Sequence, residues 1–270
     1  MTERASLQGL LESIRLVYGY DFTEYSEASM LRRIGQFMSS RKIEGIDVLA
    51  KAVLRDDMLF EEFVQEISVT VTEMFRDPSF YKSLREKVRS RLATYPLIKI
   101  WVAGCATGEE VYSIAILLKE EGLLTRSLIY ATDINQRSLQ KAKEGIIPLA
   151  NMSGYTANYV KSGGQHSFSD YYLAKYDGAL IDRSLRQGIV FSVHNLTTDR
   201  SFNEFQLILC RNVLIYFNQN LQNKVIDLFY ESLCSFGLLA LGSKESLLFS
   251  DKKNRFAEID KRERIFLKQD

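Results

Sequence analysis

The stretch from Ile98 to Leu118, IKIWVAGCATGEEVYSIAILL, constrains the fold of this chain more than any other. Its first six residues are apolar apart from Lys99, which predicts a buried strand. Gly104 to Gly108 predicts a tight turn, and Val111 to Leu118 the apolar side of a helix. A strand, a glycine turn and a helix make half of a nucleotide-binding unit, because glycines let backbone approach a ligand and a helix start offers free N–H groups. No Gly-Lys-Ser or Gly-Lys-Thr follows, and the full Gly-x-Gly-x-x-Gly of dinucleotide binders is missing. Glu109 and Glu110 stand where a pyrophosphate would be repelled. The expected ligand is therefore cationic or neutral.

A second strand, Ser127 to Asp133, ends in an acid. That acid is placed to accept hydrogen bonds from both ribose hydroxyls of an adenosine ligand, or else to cap the helix that follows. Later strands at 189–194 and 205–210 deliver Asn195, Leu196, Arg211, Asn212 and Tyr216 at their C-terminal ends. Ligands of open parallel sheets bind at that edge, so the strand ends converge on one crevice. The alternative has Asn212 capping a turn and Tyr216 in the core. Residues 219–233 have helical periodicity, 237–242 read as a buried strand, and 256–260 with 264–268 can close the sheet as an antiparallel pair. A purely parallel dehydrogenase sheet would accommodate two such closely spaced strands less readily.

The first seventy-five or so residues predict short helices. Leu7, Leu10, Leu11, Ile14 and Val17 recur at helical spacing, and Met30, Leu31, Ile34, Phe37 and Met38 form a second stripe with Arg32, Arg33, Arg41 and Lys42 off it. Further helices are expected over 47–54 and 58–67. Asp77 and Pro78 suit the cap and first position of the next helix. The basic face of that helix, with Lys82, Arg85, Lys87, Arg89 and Arg91, reads as solvated. Between about 146 and 188, tyrosines, serines and Gly163-Gly164 interrupt the helix–strand rhythm, predicting an inserted loop-rich or small β element.

GCATGEEVYSIA (104–115), ATDIN (131–135), Asn195-Leu196 and CRNVLIYF (210–217) closely resemble the CheR-type chemotaxis receptor methyltransferases, and Phe75-Arg-Asp-Pro78 and Gly237–Gly242 occur in the same order as there. The resemblance covers almost the whole chain. It implies a class I S-adenosylmethionine-dependent methyltransferase (Rossmann-like) α/β domain at 77–270 with a small β subdomain inserted at about 146–188, behind an all-helical N-terminal domain at 1–76. The implied activity is transfer of a methyl group from S-adenosylmethionine to receptor glutamates, leaving S-adenosylhomocysteine. Implied cofactor contacts are Thr72, Arg76, Ala103, Gly104, Glu109, Asp133, Asn195 and Leu196 about the adenine, and Arg211, Asn212 and Val213. Glu109 also has a physical task, since the donor's amino group and sulfonium are both positive. Arg76 and Tyr216 are the implied catalytic pair. Where family members often read Asn-x-Thr-x-Phe-Phe-Arg, this chain has Thr70 for the Asn and Met74 for the first Phe, while Thr72 and Arg76 match.

The implied partner is the acidic helical bundle of a chemoreceptor's cytoplasmic region, with a receptor-tail peptide able to add a strand to the inserted subdomain. A net charge of +1 argues against nonspecific nucleic-acid binding. Cys105, Cys210 and Cys234, with His166 and His194, are too few and scattered for a disulfide framework or a metal site. No apolar run reaches the roughly 18 residues that span a bilayer, so a cytoplasmic protein that is not membrane-embedded is expected, and a monomer is expected alongside. Two other classes stay open at this stage: a non-catalytic scaffold that retains the cofactor, and a methyltransferase acting on nucleic acid or a small molecule. Against the latter, Arg-Asn-Val-Leu is unlike the Asn-Pro-Pro-Tyr of adenine amino-group methylation.

Overall fold

A computed structural model describes residues 3–68 and 71–270; Thr70, which departs from the family pattern, lies outside the described residues. The chain begins with α1 (Glu3–Tyr18), α2 (Glu27–Arg41), α3 (Ile46–Val53) and α4 (Asp57–Ile67). Their apolar stripes meet in one core that includes Leu10, Ile14, Ile34, Phe37, Leu49 and Phe63. Asp56 starts α4 by accepting hydrogen bonds from the Met58 and Leu59 amides.

The next helix, α5 (Pro78–Ser90), has proline at its first turn as expected. The expected side-chain cap is corrected. Asp77 occupies the cap position at φ 56° without a cap bond, and its carboxylate accepts instead from Arg211 at 2.8 Å. A carboxylate committed to a buried guanidinium is not available to the helix amides.

Then follow β1 (Ile98–Ala103), α6 (Glu109–Glu120), β2 (Ser127–Asp133), α7 (Gln136–Glu144), β3 (Ile146–Pro148), α8 (Met152–Lys161), β4 (Tyr172–Lys175), β5 (Gly178–Ile181), the short α9 (Arg183–Arg186), β6 (Ile189–Val193), β7 (Phe205–Cys210), α10 (Gln219–Ser232), β8 (Leu233–Leu241), β9 (Phe256–Asp260) and β10 (Ile265–Lys268). The main sheet runs β6-β2-β1-β7-β8-β10-β9. Its members from β6 to β8 are parallel, and β10 pairs antiparallel with both β8 and β9. This is the Rossmann-like order of a class I methyltransferase, with the closing antiparallel pair expected from 256–268. β1 and β7 sit centrally and are buried along nearly their whole length, as strands covered on both faces must be. No helix among the described residues is long and apolar enough to cross a membrane.

The inserted segment forms a small antiparallel sheet, β3-β5-β4. It also contains α8, which the sequence reading did not separate out. Tyr155 and Tyr159, four residues apart and hence on one helical face, are both buried there. This unit is tied to the main domain through Glu120 at the end of α6, which accepts from the Tyr159 and Tyr171 hydroxyls. Arg85 lies 2.7 Å from Glu120 and 3.0 Å from Glu121, its side chain almost fully buried. The α5 face read as solvated is thus partly a buried anchor, because two acids at the end of α6 supply its countercharge.

Burial pushes the Glu120 carboxyl up, but the Tyr159 hydroxyl, the Gln165 amide, the Tyr171 hydroxyl and Arg85 together hold it below its ordinary value. A lowered carboxylate pKa contributes stability that is present above the unfolded value and is lost as pH falls through the folded one. Glu120→Gln should therefore destabilise the fold at neutral pH by about 3 kcal/mol, the cost of breaking a buried pair. Chemical denaturation from pH 7 to pH 3 should show wild type losing acid-side stability that the variant never had. Equal stability of the two at pH 7 would show that the pair is not an anchor.

Candidate functional site

The C-terminal ends of β6, β2, β1 and β7 surround a cavity, bordered on its other sides by the end of α4 and by the segment that leads to α5. The turn after β1 reaches it because Gly104 adopts φ 74°. A Cβ at Gly104 would stand 2.5 Å from a Val213 methyl, so only glycine fits between the turn and the loop after β7. The Gly104 and Cys105 amides both donate to the Thr132 carbonyl, at 2.8 and 2.9 Å. The first two parallel strands are therefore joined at the rim.

Asp133 lies at that joint. Its Oδ2 accepts from the Ala106 amide and its Oδ1 from the Asn135 amide, each at 2.8 Å. Burial raises its pKa, against the pull of these backbone donors. An ionised carboxylate has about four acceptor sites, so capacity remains for the vicinal hydroxyls of a ribose. Asp133 does not cap α7; Asn135 does, accepting from the Ser138 amide.

Of the two adjacent acids in the glycine turn, Glu110 lines the cavity and Glu109 does not. Glu109 is buried and accepts from the Thr107 hydroxyl at 2.6 Å, and burial raises its pKa. Successive helical residues point about 100° apart, so one of two neighbours at a helix start can face a given ligand and the other cannot. Ala103, buried at the end of β1, also lies behind the lining. The other expected residues are brought together: Thr72, Arg76, Gly104, Asp133, Asn195, Leu196, Arg211, Asn212, Val213 and Tyr216 all border the cavity.

Two contributors were not anticipated. Glu245, just after β8, is buried and accepts from the backbone amides of Gly242, Asn212 and Val213, at 2.6, 3.0 and 2.8 Å. It fixes Asn212 at φ 61°. Glu245 lies four residues beyond the end of β8, so the strand-tip acid pattern that flagged Asp133 does not extend to it. Arg33 of α2 lies off the apolar stripe, yet its guanidinium stands 5.2 Å from the centre of the Tyr216 ring. The helical domain is bonded to this same loop, since the Ser26 amide donates to the Tyr216 carbonyl at 2.8 Å.

The donor set fits S-adenosylmethionine: a carboxylate at the tip of β2 for the ribose, an acid in the glycine turn for positive charge, and a turn that only glycine can make. Glu110→Gln should weaken calorimetric binding of S-adenosylmethionine about tenfold, or ~1.4 kcal/mol. Glu109→Gln should stay within about threefold, since its carboxylate serves the turn and not the cavity. The reverse ranking would return the cofactor role to Glu109.

Residues 70–265 match the family described as CheR methyltransferase, SAM binding domain, and residues 5–68 match CheR methyltransferase, all-alpha domain. The Cher3 protein of Pseudomonas putida is 49% identical over 96% of this chain and 95% of its own length. The chemotaxis protein methyltransferase of Listeria innocua is 32% identical over 85% of this chain and 86% of its own. That of Escherichia coli is 29% identical over 73% and 67%. The cofactor is S-adenosylmethionine, and the chemistry is methyl transfer. With both domains matched in order, the chain belongs to the CheR methyltransferase family.

Proposed function

We propose that this enzyme methylates glutamate side chains in the cytoplasmic helical bundle of a chemoreceptor or related signalling protein, giving glutamate methyl esters. The observation that carries this reading is the charge arrangement of the crevice. Asp133 and Glu110 border the same cavity as Arg76, and the ion pairs of the neighbouring Arg211 with Asp77 and Glu110 leave Arg76 aside. Acids suit a cationic methyl donor, and an arginine that makes no ion pair among the described residues suits an anionic acceptor. The names of the related chemotaxis methyltransferases support the same assignment.

The donor supplies an electrophilic methyl group on a positively charged sulfur. A glutamate carboxylate, with a reference pKa of about 4.3, is already ionised at neutral pH and needs no general base. The protein's work is to hold that carboxylate in line and to exclude water. Opposite charges are annihilated as the ester forms, so an arginine that bound the carboxylate too tightly would stabilise the ground state and slow transfer. Arg76 therefore orients one carboxylate oxygen, and the Tyr216 hydroxyl, at the loop tied to the helical domain, orients the other. Thr72, Asn195, Leu196, Asn212 and Val213 complete the cofactor contacts.

We propose the boundary between helical and catalytic parts at 76/77, within the segment that presents Arg76. The free edge of β4, beside the exposed Leu173 and Tyr176, suits addition of a tail-peptide strand. The enzyme is proposed to act as a cytoplasmic monomer.

Incubating the purified protein with labelled S-adenosylmethionine and receptor cytoplasmic fragments should give label that base releases as methanol, the signature of an ester. Arg76→Ala should cut the rate about 100-fold, the scale of a lost positioning contact, while leaving S-adenosylhomocysteine affinity within about fivefold. Label stable to base would overturn the carboxylate assignment, and an unchanged rate would remove Arg76 from the chemistry.

A further inference from the structure

We propose that Arg211 is a positioning residue, whose guanidinium fixes the Arg76 backbone and the Glu110 carboxylate relative to each other and whose effect on methyl transfer passes through them. This rests on reading the crevice as the methyl-transfer site. Although Arg211 borders the cavity, its side chain is only 2% exposed. Its Nη1 donates to Glu110 at 2.7 Å, and its Nη2 donates to the Asp77 carboxylate at 2.8 Å and to the Arg76 carbonyl at 3.2 Å. The guanidinium carbon stands 4.0 Å from the centre of the Phe80 ring. Three of five N–H donors are thus spent on the protein, and the flat face is covered by an aromatic ring.

The segment it grips needs gripping. Phe75 and Asp77, on either side of Arg76, adopt φ 52° and 56°. Non-glycine residues visit this region sparsely and stay there only when their surroundings hold them. The Phe75 amide is held by the Ser113 hydroxyl at 2.9 Å, and the next carbonyl and carboxylate along the chain are held by Arg211. Arg76 is pinned from both sides, which leaves its side chain to the cavity.

Glu110 meets the opposite condition. Without Arg211 it would lose a neighbour but keep its own charge, so attraction for a cationic donor would persist. The clamp therefore predicts separable effects: transfer collapses while cofactor affinity holds. Lysine cannot replace it, because one ammonium cannot bridge Glu110, Asp77 and a carbonyl in one plane while stacking on Phe80.

The test uses the full-length chain with Arg211→Gln and Arg211→Lys, calorimetry with S-adenosylhomocysteine, kcat at saturating substrates, and amide hydrogen exchange over residues 75–77. Arg211→Gln should lower kcat about 100-fold and Arg211→Lys at least about tenfold, with Kd within about fivefold and exchange over 75–77 faster by about tenfold. Asp77→Asn, which does not border the cavity, should lower kcat in the same sense, and its effect should not multiply with that of Arg211→Gln in the double variant. This second variant decides the matter should Arg211→Gln fail to fold. A Kd raised more than about 50-fold with kcat retained would make Arg211 a direct cofactor ligand and overturn the proposal. Unchanged exchange over 75–77, or fully multiplicative effects, would overturn it too. If wild type transferred no methyl group to any carboxylate, the functional reading would fail, and the exchange and binding results would still judge the clamp.

Discussion

Buried carboxylates that accept backbone amides hold this site open. Glu245 gathers the amides of Gly242, Asn212 and Val213, and Asp133 gathers those of Ala106 and Asn135. Loops at the end of a parallel sheet leave N–H groups without ladder partners, and such groups are costly if buried unpaired. A helix or another strand could satisfy them, but would fill the crevice. A carboxylate satisfies several at once from one point, so the loops after β1, β2 and β7 hold sharply bent paths around a cavity. Burial raises the pKa of both acids against the pull of those donors. The amides stabilise the charged form that desolvation opposes.

With the loops fixed, charge is distributed by geometry. On the proposed reading, the crevice accepts a cationic donor and an anionic acceptor and lets them neutralise each other. That requires acids and a base in one small volume that do not simply pair with one another. Arg211 takes up part of the acidic charge through Glu110 and Asp77, and Arg76 stays clear of those pairs. Two arginines 135 positions apart in the sequence thus divide the work, one bonded within the protein and one bordering the cavity.

Much of this was legible beforehand. The strand–turn–helix at 98–118, the acid ending β2 and the antiparallel closing pair follow from period, length and punctuation, which depend on local sequence alone. What was hidden depends on tertiary partners. Arg85 and Arg33 look like surface charges because a helical stripe reveals which face is apolar, and cannot reveal that another element brings an acid or an aromatic ring to the polar face. Asp77 carries every sequence mark of a helix cap, and a single long-range partner redirects it. Glu109 and Glu110 are chemically identical neighbours. Only the phase of α6 relative to β1 tells which one borders the cavity. α8 was obscured because its tyrosines raise a β signal that their four-residue spacing contradicts.

The helical domain is joined to the chemistry by more than a linker. Tyr25 bridges to Phe217, the Asn218 amide donates to the Glu24 carbonyl, and Glu24 pairs with Lys224 on α10. These contacts hold the residues that follow Tyr216, whose ring also faces Arg33. A loop tethered at one end by Glu245 and at the other by the helical domain has little freedom left to lose when a substrate arrives. Ordering entropy is then largely spent during folding and not during binding. The same tethers mean that any macromolecule pressing on α2 presses on the loop that carries Tyr216. A substrate protein docked on the helical domain would thereby act on the loop that carries Tyr216.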